Sequence, residues 1–305
     1  MTSRVASPAL AEYLRVARER VDAVLGHWGQ DLARRMRDTR VGAAIRYSLL
    51  GAGKRLRSTL VFAAYDAAGG TDAAVAALGA AVEVVHAYSL VHDDLPSMDN
   101  DDLRRGRPTT HRAFDVPVAT RAGFHMVPLA AAVLAEGCRE LGLDEERQRA
   151  IALELFRAAG AGGMIGGQAL DLAAEGQRVP LERLAEIHER KTGALIAASC
   201  VIGGLAARAP ARAADALRAF GAEAGLAFQI YDDVLDATAT SLELGKTAGK
   251  DEARAKSTFV ALLGVSGARE EAERRAALAV DRLREGALVS PILVDLAHYI
   301  VTRPN

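Results

Sequence analysis

Two apolar stretches, each long enough for a buried helix, end abruptly in aspartates. Ala-Tyr-Ser-Leu-Val-His leads into Asp93, Asp94 and, after Leu-Pro-Ser-Met, Asp99; Leu-Ala-Phe-Gln-Ile-Tyr leads into Asp232, Asp233 and Asp236. Acidic triplets are common on solvated helix faces, but such faces do not usually interrupt buried helices. On a helix, Asp232 and Asp236 are four apart and share a face, with Asp233 beside them. Pro96, three residues after Asp93, should end or kink the first helix, so Asp99 is expected to curl back from a loop. The clusters lie 139 positions apart (232 − 93), ample for opposite walls of one helical bundle.

The rest of the chain supports such a bundle. Alanine, leucine, arginine and glutamate dominate its 305 residues, β-branched alternation is scarce, and helical periodicity runs through 9–25, 73–92, 118–141, 144–160, 181–205, 211–237 and 270–285. The expected fold is all-α, with residues 1–305 as a single domain, because no stretch reads as an interdomain linker and no solenoid repeat occurs. Loops are marked at Gly69-Gly70, at Pro108, and at 176–180 and 241–251.

Like charges packed as closely as these aspartates are costly without a neutralising cation, and hard oxygen donors suit Mg²⁺ better than zinc. Overall, 38 lysines and arginines face 39 aspartates and glutamates. No global field therefore favours nucleic acid or an anionic membrane, and any anion must be held by a local site. Such sites are supplied by short basic clusters. Gly51-Ala-Gly53-Lys54-Arg55-Leu56-Arg57 lets Lys54 and Arg57 face one way, though it also reads as an ordinary basic helix start. Leu103-Arg104-Arg105-Gly106-Arg107-Pro108 is either a solvated loop balancing nearby acids or a pair of forks for two anions. Lys191-Thr192 lies on a helix, and Gly245-Lys246-Thr-Ala-Gly-Lys250-Asp251 follows the second acidic cluster. His86, two turns before Asp93, and Gln229, three residues before Asp232, are by themselves more often packed core than site residues. Together these features point to a diphosphate handled through magnesium.

Cys138 and Cys200 lack metal-ligand spacing and are expected to be buried free thiols in a reducing compartment. The charged stretch 12–20 lacks the apolar core of a signal peptide, and the longest apolar run, 194–207, is short and broken by Gly203 and Gly204. A cytoplasmic protein with no membrane span is expected.

Six strings occur in a fixed order: Gly-Lys-Arg-Leu-Arg; His-Asp-Asp-Leu-Pro-Ser-Met-Asp with Leu-Arg-Arg-Gly-Arg-Pro-Thr-Thr-His; Gly-Gly-Gln-Ala-Leu-Asp; Lys-Thr-Gly; Phe-Gln-Ile-Tyr-Asp-Asp-Val-Leu-Asp; and Leu-Gly-Lys-Thr-Ala-Gly-Lys-Asp. Over roughly residues 40 to 300 the chain resembles the trans-isoprenyl diphosphate synthases, most of all the bacterial farnesyl diphosphate synthases. The resemblance implies an all-helical, usually homodimeric enzyme of the isoprenoid synthase fold, joining an allylic diphosphate to isopentenyl diphosphate. It implies that Asp93, Asp94, Asp99, Asp232, Asp233 and Asp236 hold three Mg²⁺ ions on the allylic diphosphate. Arg104, Lys191, Thr192, Gln229 and Lys246 match allylic-site positions, and Lys54, Arg57, His86 and Arg105 match the isopentenyl diphosphate site. Ionisation would fall to Asp93, Asp94, Asp232 and Asp233 with Lys191 and Lys246, and no side-chain nucleophile is required.

Tyr88 stands five residues before Asp93, about 7.5 Å along a helix. A ring there would stop a growing chain after a few isoprene units, while Ser89 leaves room for the allylic starter; core packing is the lesser alternative for Tyr88. In the family an aromatic at this place goes with a fifteen-carbon product. One segment departs from the bacterial pattern: where Ala-Gly-Asp is usual, Phe124 and His125 follow Gly123. Added volume at the far end of the chain tunnel would shorten the product to ten carbons or alter the dimer contact. Ser58 replaces the usual proline after Arg57. Two rivals remain on the same scaffold, a terpene cyclase and a non-catalytic partner subunit.

Overall fold

The structure, a computed structural model, describes residues 6–36, 39–51, 53–238, 257–288 and 290–303. Among them run α1 (Pro8–Arg35), α2 (Thr39–Leu49), α3 (Leu56–Ala67), α4 (Val75–Asp93), the two-residue strands β1 (Leu103–Arg104) and β2 (Arg107–Pro108), α5 (Thr110–Ala113), α6 (Val116–Glu140), α7 (Glu145–Ala159), α8 (Met164–Ala173), α9 (Leu181–His188), a π-helical turn (Glu189–Gly193), α10 (Ala194–Ala206), α11 (Ala211–Thr238), α12 (Phe259–Glu285) and α13 (Pro291–Ile300). The all-α expectation holds.

Helix starts follow local chemistry. The Ser7 hydroxyl accepts from Leu10 N–H with Pro8 in the first turn, Asp115 caps Val118, and Asp144 caps Arg147 ahead of two glutamates. All seven expected segments are helical, with differences in detail. α12 begins at Phe259, well before 270, and is broken at Gly264, whose φ of +73° is left-handed. The segment 181–205 is not one uninterrupted α-helix but contains the π-turn. The short helices α2, α3, α8 and α13 lie outside the expected set, and the loop 241–251 lies outside the described residues.

Two apolar clusters form the core. One joins Leu25 of α1, Ile45 of α2, Leu78 and Val82 of α4 and Met126 of α6. The other joins Phe220 and Ile230 of α11, Phe259 and Leu283 of α12 and Leu296 of α13. α3 and α10 belong to both, placing Phe62 and Ile202 in the first and Leu60 and Ile196 in the second; helices apolar on two faces are buried between layers. α4 and α6 are long and apolar enough to cross a membrane, which a search for unbroken apolar runs passes over, but 83% of the α4 window is buried inside the bundle. Cys138 and Cys200 are buried free thiols as expected, their pKa values pushed up by burial to about 11 and about 12.

Candidate active site

The first acidic cluster forms where α4 stops. Past Asp93 the backbone turns so that Asp99 N–H donates to the Asp93 carbonyl at 2.7 Å, returning Asp99 to the helix end. Arg105 and Gly106, both with positive φ (54° and 72°), make the turn of the β1–β2 hairpin, as a two-residue turn between twisted strands requires. The loop before β1, closed by Asn100 N–H to the Leu95 carbonyl and Asp101 N–H to the Asp94 carbonyl, returns Arg104 to Asp94: Nε and Nη2 donate to Oδ1 at 2.8 and 2.6 Å. This fork geometry is strong and directional.

The second cluster lies on α11 and is assembled from distant parts of the chain. Asp233 is buried, and its Oδ2 accepts from Phe259 N–H at 2.8 Å, capping the start of α12. His188 Nε2 stands 3.5 Å from the same oxygen, and the His188 ring stacks on Phe259. Asp232 takes a hydrogen bond from Arg303 Nη2. Arg303 is buried, donates also to the Ile300 carbonyl, and lies over the Phe228 ring at 4.0 Å. Asp236 is half-buried one turn further on.

Around these walls the cations separate into two groups. Arg57 Nη1 lies 3.2 Å from His86 Nε2. Burial first, then the charges of Arg57, Arg105, Arg104 and Arg55, hold the His86 pKa well below its ordinary value. His86 is therefore neutral, with Nε2 accepting from arginine and the proton on Nδ1. Burial also lowers Lys54, with Arg303 and Arg105 adding to the effect and Asp232 opposing it. It lowers Arg105 as well, and Arg57 to about 10. Arg57 Nε is buried without a hydrogen-bond partner. Cations crowded until they depress one another form a pocket that an anion would relieve. Arg55, between Lys54 and Arg57, ties the scaffold together instead. Its Nε donates to Asp22 at 2.9 Å and its Nη1 stands 3.5 Å from buried Glu83. Glu83 also accepts from Ser58 N–H at 3.1 Å, a donor that the usual proline would lack.

The second group follows the π-turn. Lys191 Nζ donates to Asp171 at 2.6 Å, and Thr192 Oγ1 donates to Gln229 Oε1 on α11 at 2.8 Å. A π-turn carries an extra residue and re-aims side chains, and such turns are frequent at functional sites. Two glycines let other helices reach it: a Cβ on Gly167 of α8 would lie 2.2 Å from Lys191 N, and one on Gly225 of α11 would lie 2.7 Å from Gly193 Cα. Lys246 lies outside the described residues.

Burial drives the Asp93 pKa up to about 6; Lys191 and Arg104 oppose this, and Asp99 and Asp94 reinforce it. Asp94 is raised by burial against its bonds to Arg104. Carboxylates so placed fit a hard divalent cation, which would remove the cost of ionising them. Among the described residues no three His, Cys, Asp or Glu side chains converge closely enough to hold a metal ion by themselves. Any ion bound there would take further oxygens from water and from a diphosphate, the usual habit of Mg²⁺.

Tyr88 and Ser89 are buried on α4, and Ser89 Oγ donates to the His86 carbonyl at 2.9 Å. Burial and then Asp93 push the Tyr88 phenol up to about 12. Phe124 and His125 are both exposed on α6, Phe124 by 64%. The expectation that they add bulk inside the tunnel is therefore corrected: the phase of α6 buries Ala122, Gly123 and Met126 and turns these two outward. Sequence reasoning also passed over Asp171, Arg303 and His92. Asp171 was visible as the last residue of Gly-Gly-Gln-Ala-Leu-Asp, and His92 as the residue before Asp93; Arg303 carried no local signal.

An all-helical bundle with carboxylates and cations gathered at the end of α4 and along α11 has the architecture of an isoprenoid synthase. A family model described as Polyprenyl synthetase matches residues 38–288. The farnesyl diphosphate synthase of Escherichia coli (strain K12) is 44% identical over 87% of this chain and 90% of its own. The chloroplastic geranylgeranyl pyrophosphate synthase of Catharanthus roseus is 42% identical over 87% of this chain and 74% of its own. Among solved structures, a FPP/GFPP synthase from Zymomonas mobilis superposes with a TM-score of 0.84 at 35% identity, covering 96% of this chain and 99% of that one. A geranyltransferase from Helicobacter pylori, complexed with magnesium and isoprenyl diphosphate, superposes with a TM-score of 0.81 at 30% identity over 97% of each chain. This chain belongs to the polyprenyl synthetase family and is a prenyltransferase.

Proposed function

We propose that the protein condenses an allylic diphosphate, dimethylallyl or geranyl, with isopentenyl diphosphate to give farnesyl diphosphate. The separation of the cations into two groups carries this reading. Lys54, Arg57, Arg105 and neutral His86 crowd together, a place for a diphosphate that needs no metal. Arg104, Lys191, Thr192 and Gln229 stand among or beside the carboxylates, a place for the diphosphate that leaves. A cyclase would need only the second. Lys246 is assigned to that second place by resemblance.

Mg²⁺, when bound, would supply Lewis-acid stabilisation of the departing diphosphate. Asp93, Asp94, Asp99, Asp232, Asp233 and Asp236 would hold it, and three ions are expected from the family resemblance. Asp94 and Asp233 also hold Arg104 and the Phe259 N–H in place, as Asp232 holds Arg303. Arg104 and Lys191 then present fixed positive charge where negative charge grows as the allylic C–O bond breaks, without reorganisation at that moment. The His86–Arg57 pair orients the second diphosphate so that the isopentenyl double bond meets the allylic carbon. The proton lost afterwards passes to the departing diphosphate.

Product length rests on Tyr88, buried five residues before Asp93. A longer product is the second reading, favoured by the 42% identity to a geranylgeranyl pyrophosphate synthase. The deciding experiment supplies dimethylallyl, geranyl and farnesyl diphosphate in turn with isopentenyl diphosphate and Mg²⁺. The expected outcome is a fifteen-carbon product from the first two and little elongation of the third, with Tyr88→Ala lengthening the product. Cyclic hydrocarbon from geranyl or farnesyl diphosphate alone would instead establish a cyclase. A homodimer is part of the proposal, as is a cytoplasmic location, supported by the two free thiols.

A further inference from the structure

Tyr88 does not stand alone. Four residues on, along the same face of α4, His92 meets it edge-on, ring centroids 5.9 Å apart at 81°. The other side of His92 meets Phe124 of α6 in the same way, at 5.4 Å and 81°. This file of three rings leads from a buried position on α4 to the outer face of α6.

The middle ring is fixed from three directions. Its Nε2 lies 3.2 Å from the Thr120 carbonyl, which can only accept, so Nε2 carries the proton and the ring plane is set. Gly123 gives it space: a Cβ there would lie 2.0 Å from Nε2, so the α6 backbone itself closes the side of the ring. Phe124 covers the remaining edge. Edge-to-face contacts are directional, and a ring held by two of them and a hydrogen bond has no vacant direction to swing into.

We propose that His92 and Phe124 are positioning residues for product length: they hold the Tyr88 ring from its Asp93 side and from α6, and the growing chain meets a stop that cannot turn aside. This rests on the reading that the chain extends along α4 toward Tyr88. It gives Phe124, which replaces the aspartate usual in bacterial relatives, an effect on the product although it is exposed and outside the cavity. An acidic side chain at that place would remove the aromatic edge and leave His92, and through it Tyr88, freer to move.

The test uses the full chain with Mg²⁺, geranyl diphosphate and isopentenyl diphosphate, reading the ratio of the next longer product to the main one at equal conversion. Phe124→Ala and His92→Gln should each raise that ratio, roughly three- to tenfold if one edge-to-face contact is lost, and Phe124→Tyr should restore it. In a Tyr88→Ala background Phe124→Ala should add nothing, because the brace acts through Tyr88. Unchanged ratios in Phe124→Ala would overturn the proposal, as would an effect that persists without Tyr88. A Phe124→Ala protein that folds by circular dichroism but forms no product would also overturn it, since the brace does not touch the diphosphates. Failure of the unaltered protein to condense the two substrates would instead remove the functional reading, and this proposal with it.

Discussion

Asp94 meets its arginine ten residues downstream, across one loop, whereas Asp232 meets Arg303 71 residues downstream and Asp233 meets the Phe259 N–H 26 residues downstream. The first wall is therefore built by local geometry: the end of α4 and a short loop, with Asn100 at positive φ, that folds back on it before β1. The second wall exists only after α12 and α13 have docked on α11. The two also differ in access to water. The Asp94 side chain is 4% exposed and that of Asp232 39%, while Arg104 is 31% and Arg303 2% exposed, so the buried partner is the carboxylate in one pair and the arginine in the other. A site divided in this way keeps one half preformed and makes the other depend on the completed fold.

The sharpest way to break the comparison is to remove one carboxylate from each wall. Asp93→Ala and Asp232→Ala should each lower the condensation rate by roughly 10²–10³-fold or more, the scale of losing a group that stabilises developing charge, with helical circular dichroism retained. Near-normal turnover in either variant would take that wall out of the reaction. A smaller effect separates the walls by stability. Arg104→Ala strands a buried carboxylate and should cost about 3–5 kcal/mol in denaturant unfolding. Arg303→Ala should cost less, about 2 kcal/mol, mostly from lost contact with the Phe228 and Tyr231 rings, because water can solvate Asp232. The reverse order would mean that burial of the arginine outweighs burial of the carboxylate.

The smallest effect is one of pH. Asp93 titrates near 6 in the fold against an ordinary 3.8, so between those values the folded state binds more protons than the unfolded one. Its contribution to stability is complete below about pH 4 and is lost as pH rises through 6. Metal-free protein should therefore lose stability relative to Asp93→Asn across that window. Mg²⁺ competes with the proton for Asp93 and should stabilise the protein more at pH 7 than at pH 5. Thermal unfolding with and without Mg²⁺ at both values measures this, and an equal gain at both would detach Asp93 from the cation.

Much of this was legible because it is local. Apolar spacing along 73–92 and 211–237 marks α4 and α11, and Pro96 marks where the first helix stops. Spacing alone also places three carboxylates at each wall. Partners that come from far along the chain were not legible: nothing near Arg303 announces Asp232, and nothing near Phe259 announces Asp233. The π-turn was missed for a different reason, since one extra residue in a helix of ordinary composition leaves apolar periodicity almost intact. Phe124 and His125 were misplaced although the phase of α6 was available in the sequence; chemical departure from a pattern drew attention to bulk before direction.

Gly167 and Gly225 have a consequence for how this protein can vary. Neither has a side chain with which to touch a substrate, yet at both positions even a methyl group would have to displace the backbone that carries Lys191, Thr192 and Gly193. Replacing an aspartate removes a function and leaves the scaffold; replacing either glycine moves the scaffold and takes the function with it. Intolerance to mutation thus extends to residues with no chemistry of their own, and a scan that counts only polar losses would overlook them.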